Sequence, residues 1–421
     1  MHWQLAALAL ILLAFAGISR RVEGTPVTAP MFFTAAGLVV GVDALGIVDP
    51  EADGLEIEAV AEATLAVVLF SDASRIDLTA LRRTLHIPAR LLGIGLPLTI
   101  VAGFAVALVV LPGLAWPEAL LVAIILAPTD AALGQVVVTS KRLPVRIRQS
   151  LNVEAGLNDG ICVPLFLIAL AVALAEEGAI GHGHAVQLVF EKIGYGVLVG
   201  VLAGGIAAAV VVHGTARRLI DDTWLQVVPL AGALLAFTLA EGIGGSGFIA
   251  AFVGGAAFGG MRRHRGGKVS HLIEQTGAVL AAVTFVLFGA VLLGPAIGDL
   301  SWQIALYAVL SLTMIRMLPV AISMLGTGVQ PPTVAFLGWF GPRGAASIVF
   351  ALLVLAEDER LPHESDVLTV AFVTVGLSVL AHGVTAAPLA RRYADWHDAR
   401  VAETPIESGE EEELPWRLED A

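Results

Sequence analysis

The chain is poor in charge, in aromatic rings and in cysteine. Of its 421 residues 14% are charged and 6% aromatic, while 57% are hydrophobic. A soluble protein of this size carries roughly 25% charged residues, so a water-facing surface is excluded for most of the chain. The lone cysteine, Cys162, lies inside an apolar run. It excludes an internal disulfide framework and argues against a Cys-based redox or zinc centre. No HExxH-like string occurs, and most histidines, such as His182, His184 and His264, fall between apolar runs. An intramembrane zinc enzyme is therefore not expected, nor is a cofactor or a nucleic-acid partner. The short alternating segments of a β-barrel are also missing.

What is there is apolar length. Mean hydropathy is +0.85, and runs of 18 or more apolar residues recur along almost the whole chain. The fold class is an all-α polytopic membrane protein. Thirteen spans are expected, near 2–19, 26–46, 56–71, 88–112, 117–139, 145–175, 186–212, 222–244, 247–261, 272–296, 301–326, 331–356 and 365–390. The net charge of −13 conceals a sorting by loop. Alternate loops carry Arg20 and Arg21; Arg75, Arg82, Arg83 and Arg90; Lys141, Arg142, Arg146 and Arg148; Arg217 and Arg218; Arg262, Arg263, Arg265 and Lys268; and Arg391 and Arg392. The opposite loops hold only Lys192 and Arg360 and are acidic. Basic loops face the cytoplasm, so the C-terminus is expected inside and the N-terminus outside, in a prokaryotic-type plasma membrane. The first run lacks a basic residue ahead of it, which suits a retained span better than a cleaved leader. Residues 1–392 are read as the transmembrane domain and 393–421, with "EEEE", as an acidic disordered tail.

Ionisable groups inside a membrane are costly, about 2.5–3.5 kcal/mol at the centre on insertion scales, and so they are informative. Span 5 contains Pro128, Thr129 and Asp130; span 12 contains Gly341, Pro342, Arg343 and Gly344. Proline removes a backbone donor and disfavours helix just before it. With spans 1–6 and 8–13 as halves joined by span 7, the two interrupted segments correspond and the halves have opposite topology. Matched interruptions in inverted halves point to a transporter binding site. Span 6 carries "NVEAGLNDG". At about 100° per residue, Asn152, Ala155 and Asp159 share one face, and Glu154 and Asn158 another. Two buried carboxylates in different environments suggest two tasks, one neutralised by a fixed cation, for which Arg316 in span 11 is the candidate, and one left to titrate. Ser71 and Asp72 close span 3 and are possible outer members of the site, although a solvated or capping acid fits them equally; Glu241 and Glu274 read as interfacial acids. Gly196, Gly200 and Gly204 form a small-residue stripe that predicts close helix packing.

"LAPTDAALG" (126–134), "NVEAGLNDG" (152–160), Arg316 and "GPRGAAS" (341–347) together resemble the cation:proton antiporter family on its sodium/proton exchanger side, the NhaP-like and NHE-like proteins. The resemblance implies two inverted six-helix repeats, a core with crossed broken helices (spans 5 and 12), and a homodimer. By position it implies that Asp159 binds the cation or the proton, with Asn158, Asp130 and Thr129 as further site groups and Asp159 and Asp130 as carboxylates for a monovalent cation. It implies a structural ion pair between Glu154 and Arg316, and a role in structure and pH response for Arg343 with Pro128 and Pro342. The expected partners are Na⁺ (or Li⁺ or K⁺), H⁺ and lipid. Two departures bear on selectivity: Ala155 stands where relatives often have serine, and Ser71 where a glutamate is common, with Asp72 next to it. A potassium/proton exchanger or potassium-efflux-type transporter of the same superfamily is the alternative. An aspartyl enzyme using Asp130 and Asp159 fits the interrupted helices poorly.

Overall fold

The computed structural model describes residues 2–22, 25–42, 44–47, 50–75, 86–130, 132–176, 182–261, 267–357 and 360–403. Among them all regular structure is helical. In chain order the helices are α1 (His2–Val22), α2 (Ala29–Val40), α3 (Pro50–Ser74), α4 (His86–Val110), α5 (Trp116–Ile125), α6 (Gln135–Val138), α7 (Val145–Glu176), α8 (His182–Ala216), α9 (Asp222–Gly242), α10 (Gly247–Met261), α11 (His271–Gly298), α12 (Trp302–Ser323), α13 (Pro331–Trp339), α14 (Ala345–Ala356) and α15 (Glu364–Glu403). Eight are long and apolar enough to cross a membrane, and four shorter apolar helices, α2, α5, α10 and α14, accompany them. The expected spans 5 and 12 are each split in two, as α5–α6 and α13–α14.

The small-residue stripe does what its spacing predicts. A Cβ at Gly196 of α8 would land on the backbone at Ser246, just ahead of α10, and one at Gly200 or Gly204 on Ala250 or Gly254 within it. On its other side α10 meets α3, where Gly255 and Gly259 lie against the carbonyls of Phe70 and Ser74. Glycine lets three backbones approach to van der Waals distance, and this sets where the end of α3, with Ser71 and Asp72, meets α7. The acids at the ends of spans also find partners. Glu241 accepts from the Gly247 amide at 2.7 Å, capping α10, and Glu274 pairs with Arg75 at 3.2 Å.

One boundary differs from expectation. The domain edge placed at 392 falls inside α15, which continues to Glu403. Tyr393 and Ala394 are buried; the Tyr393 hydroxyl is 2.8 Å from Thr333 Oγ1, and its ring stacks on Phe336. One turn on, Asp395 and Asp398 pair with Arg142 at 2.7 and 3.7 Å. Acidic composition suggested a tail, but an aromatic anchor and a basic partner across the fold extend the helix. Arg82, Arg83, Arg262, Arg263, Arg265 and the tail 404–421 lie outside the described residues.

Candidate functional site

The first break begins where α5 stops at Ile125, and helix resumes only at Gln135. Pro128 has no N–H to continue the ladder and disfavours helix at Ala127. The second break, Phe340 to Gly344, separates α13 from α14. The two unwound strands cross, and the Asp130 amide donates to the Pro342 carbonyl at 2.8 Å.

Each break supplies the charge that the other one needs. The Arg343 guanidinium is fully buried, and its Nη1 donates to the Ala127 and Pro128 carbonyls at 2.9 and 3.3 Å, at the C-terminal end of α5. Asp130 reaches the other way. Its Oδ2 accepts from the amide of Ala345, the first residue of α14, at 2.8 Å, and its Oδ1 accepts from Ala132 at 2.7 Å. A helix end carries roughly half an elementary charge, negative at the C-terminus and positive at the N-terminus. Arginine on the carbonyls just past the C-terminus of α5 and aspartate on α14's first amide therefore both sit at the favourable pole.

The glycines of "GPRG" make room for this exchange. A Cβ at Gly341 would land on the Arg316 guanidinium, and one at Gly344 on the Asp130 carboxylate. Gly344→Ala is accordingly expected to push Asp130 off the Ala345 amide. Thermal unfolding in detergent should show a loss of about 1–3 kcal/mol, the usual cost of overpacking. A melting temperature equal to the parent's would mean that Asp130 does not hold α14.

The long helix α7 brings the remaining groups to this crossing. Glu154 and Arg316 are both buried, their side chains 3% and 1% exposed, with Oε1 and Nη2 2.6 Å apart. The contact is an ion pair by distance, without the angular alignment of a hydrogen bond. One turn further, Asn158 Nδ2 donates to Thr129 Oγ1 at 2.6 Å, tying α7 to the first break. Asn158 Oδ1 and Asp159 Oδ1 are buried with no hydrogen-bond partner among the described residues. Asp72 packs on α7 at Gly156, where a Cβ would stand 3.2 Å from the Asp72 Cβ. Ser71 is buried beside it, its carbonyl accepting from Ser74 Oγ, and among the described residues no hydrogen bond joins it to the site.

A void of about 10 Å³ opens at the crossing, between Thr129, Asp130, Leu151, Ala155, Phe340 and Pro342. That is about the room one water needs. Ala155 forms part of its wall, and Asp159 lies one helical turn along the same face of α7.

The residues singled out from sequence thus assemble at one crossing, Ser71 and Asp72 at its edge. Sequence reasoning missed three polar residues that tie the breaks to the rest of the fold. Glu118 in the first turn of α5 accepts from the amides of Ala115 and His363 at 2.9 Å and faces His363 Nδ1 at 3.0 Å. Ser378 and His382 of α15 meet the second break at Arg343 and Trp339. The available signal was the one used elsewhere, an ionisable side chain inside an apolar run; "LSVLAHGVTAA" holds His382 in mid-run.

A model of the family described as "Sodium/hydrogen exchanger, transmembrane" matches residues 7–392. Relatives include a K(+)/H(+) antiporter NhaP of Alkalimonas amylolytica, 26% identical over 94% of this chain and 66% of its own length. A Na(+)/H(+) antiporter, ApNhaP, of Aphanothece halophytica is 28% identical over 84% of this chain and 68% of its own. This chain thus spans just under two thirds of the Alkalimonas protein. Among solved structures, the sodium proton antiporter MjNhaP1 of Methanocaldococcus jannaschii at pH 8 superposes with a TM-score of 0.77 over 91% of this chain and 98% of that chain, at 19% identity. At that identity the match shows the fold.

Proposed function

This chain belongs to the sodium/hydrogen exchanger family, and on that premise we propose that it is a secondary antiporter exchanging a monovalent cation for H⁺ across the plasma membrane. The observation that carries the proposal is the buried Asp159 carboxylate, whose Oδ1 has no hydrogen-bond partner among the described residues, beside two interrupted helices. An unpaired buried carboxylate is costly unless something occupies it. Either a proton or a hard, oxygen-preferring cation does so, and the two exclude each other. Asn158 Oδ1, which also has no hydrogen-bond partner among the described residues, is adjacent to Asp159 on α7, and with Thr129, bonded to Asn158, and Asp130 it is read as an oxygen-lined site; the void at Ala155 has room for a water where a serine hydroxyl would stand.

Alternating access follows if the core changes sides only when Asp159 is occupied. One carboxylate carries one charge, and Asn158 adds none, so the cycle is 1:1 and electroneutral. Glu154 is already committed to Arg316, and Asp130 to two backbone amides; neither is the exchanging group. The basic loops put the C-terminus in the cytoplasm, and a homodimer in lipid is the working assembly.

Relatives of similar identity are named for Na⁺ and for K⁺, so the cation is decided by assay. In proteoliposomes with an imposed pH gradient, addition of Na⁺, Li⁺ or K⁺ should collapse the gradient, at a rate indifferent to an imposed membrane voltage. Voltage-driven cation current that does not depend on pH would mean a channel instead.

A further inference from the structure

The last long helix carries a buried histidine that the exchange cycle does not use. His382 of α15 is 1% exposed. Its Nε2 lies 2.9 Å from the carbonyl of Trp339, the last residue of α13. Its Nδ1 lies 3.2 Å from Ser378 Oγ and 3.0 Å from the Ser378 carbonyl, one turn back on its own helix. Ser378 Oγ in turn accepts from the Arg343 amide at 2.7 Å. The Trp339 indole lies over the imidazole, ring centroids 5.0 Å apart, and donates from Nε1 to Thr385 Oγ1 at 2.9 Å.

A carbonyl only accepts, so the contact with Trp339 O is made by a proton on Nε2. Nδ1 faces the Ser378 carbonyl and hydroxyl together, and the Ser378 oxygen takes the Arg343 amide. One ring and one hydroxyl thus grip both ends of the unwound strand, Trp339 where α13 stops and Arg343 just before α14 starts. Arg343 carries the connection onward, since its guanidinium rests on the Ala127 and Pro128 carbonyls. Those carbonyls adjoin Thr129, which is bonded to Asn158, the neighbour of Asp159.

We infer that His382 is a positioning residue of the exchange site: together with Ser378, it clamps the second break to α15 so that Arg343 stays on the carbonyls of the first. It touches neither cation nor exchanging proton. The inference rests on the antiporter reading above. Groups bonded directly to an ion's ligands typically change ion affinity by 10–100-fold when lost; His382 acts through Ser378 and Arg343, which puts its effect at the lower end.

The test is cation titration of gradient collapse in proteoliposomes, with the melting temperature of each variant as a control for folding. His382→Leu removes both ring contacts and should raise the half-saturating cation concentration about tenfold, with the maximal rate within about twofold of the parent's. His382→Gln keeps an N–H able to reach Trp339 O and should recover most of that affinity. Ser378→Ala strips the acceptor from the Arg343 amide and should shift half-saturation in the same direction as His382→Leu. If His382→Leu does not fold, Ser378→Ala decides by the same shift. Folded variants that keep the parent's half-saturation, or lose only maximal rate, overturn this inference alone. A parent protein that moves no protons with Na⁺, Li⁺ or K⁺ overturns the antiporter reading and this inference with it.

Discussion

Asp159→Asn is expected to abolish cation-driven proton movement in proteoliposomes while leaving the folded protein intact. The substitution is nearly isosteric and removes only the ability to hold a proton or a cation by charge. Asp159 makes no ion pair among the described residues and its Oδ1 has no hydrogen-bond partner, so little structure is lost with the charge. The neutral amide also relieves the cost of a buried carboxylate, and the melting temperature should stay level or rise. The informative measurement is thus the pair of values, gradient collapse and thermal unfolding, on the same preparation. Robust Na⁺-, Li⁺- or K⁺-dependent proton movement in Asp159→Asn would falsify the assignment. Loss of activity with loss of fold would show that Asp159 belongs to the scaffold.

Glu154→Gln should behave in the opposite way. Its partner Arg316 is 1% exposed and stands 2.6 Å away, so removing the negative charge strands a buried guanidinium. Breaking a buried pair from one side costs about 3–5 kcal/mol; glutamine keeps an oxygen for Arg316, so the loss should lie at the lower end. The loss should concentrate at the second break, because Arg316 rests against Gly341. A double variant, Glu154→Gln with Arg316→Met, should unfold at a higher temperature than Glu154→Gln alone, since no charge is left unpaired. Equal melting temperatures for parent and Glu154→Gln would remove the pair from the scaffold, and a double variant no better than the single would show that the two residues act independently.

The contrast between these two acids, five residues apart on one helix, is where reading the sequence was most productive. Helical spacing alone placed Glu154 and Asp159 on different faces, and Arg316 was the obvious basic residue within a span to answer one of them. The positions of the breaks were equally legible, not from proline alone, since Pro164, Pro229, Pro319 and Pro388 lie inside helices, but from proline beside a charge at matching places in the two halves. The small-residue stripe of α8 announced a close helix contact, though not that α10 would receive it. That the last helix continues past 392 was not legible because composition reports solvation, whereas Tyr393 on Phe336 and Arg142 beside Asp395 are contacts between segments far apart in the chain.

By itself, then, the sequence determined that this is a helical membrane protein, where its interruptions fall, and that Glu154 and Asp159 lie on different faces of one helix, because each of those follows from the cost of polar groups in lipid and from a period of 3.6 residues. Only the tertiary structure decided who neutralises whom. That Asp130 caps α14 while Arg343 caps α5, and that His382 and Ser378 hold the second break in place, depends on two breaks crossing in space. Each of these partners lies 35 to more than 200 residues from the group it serves, and no local propensity encodes such a distance.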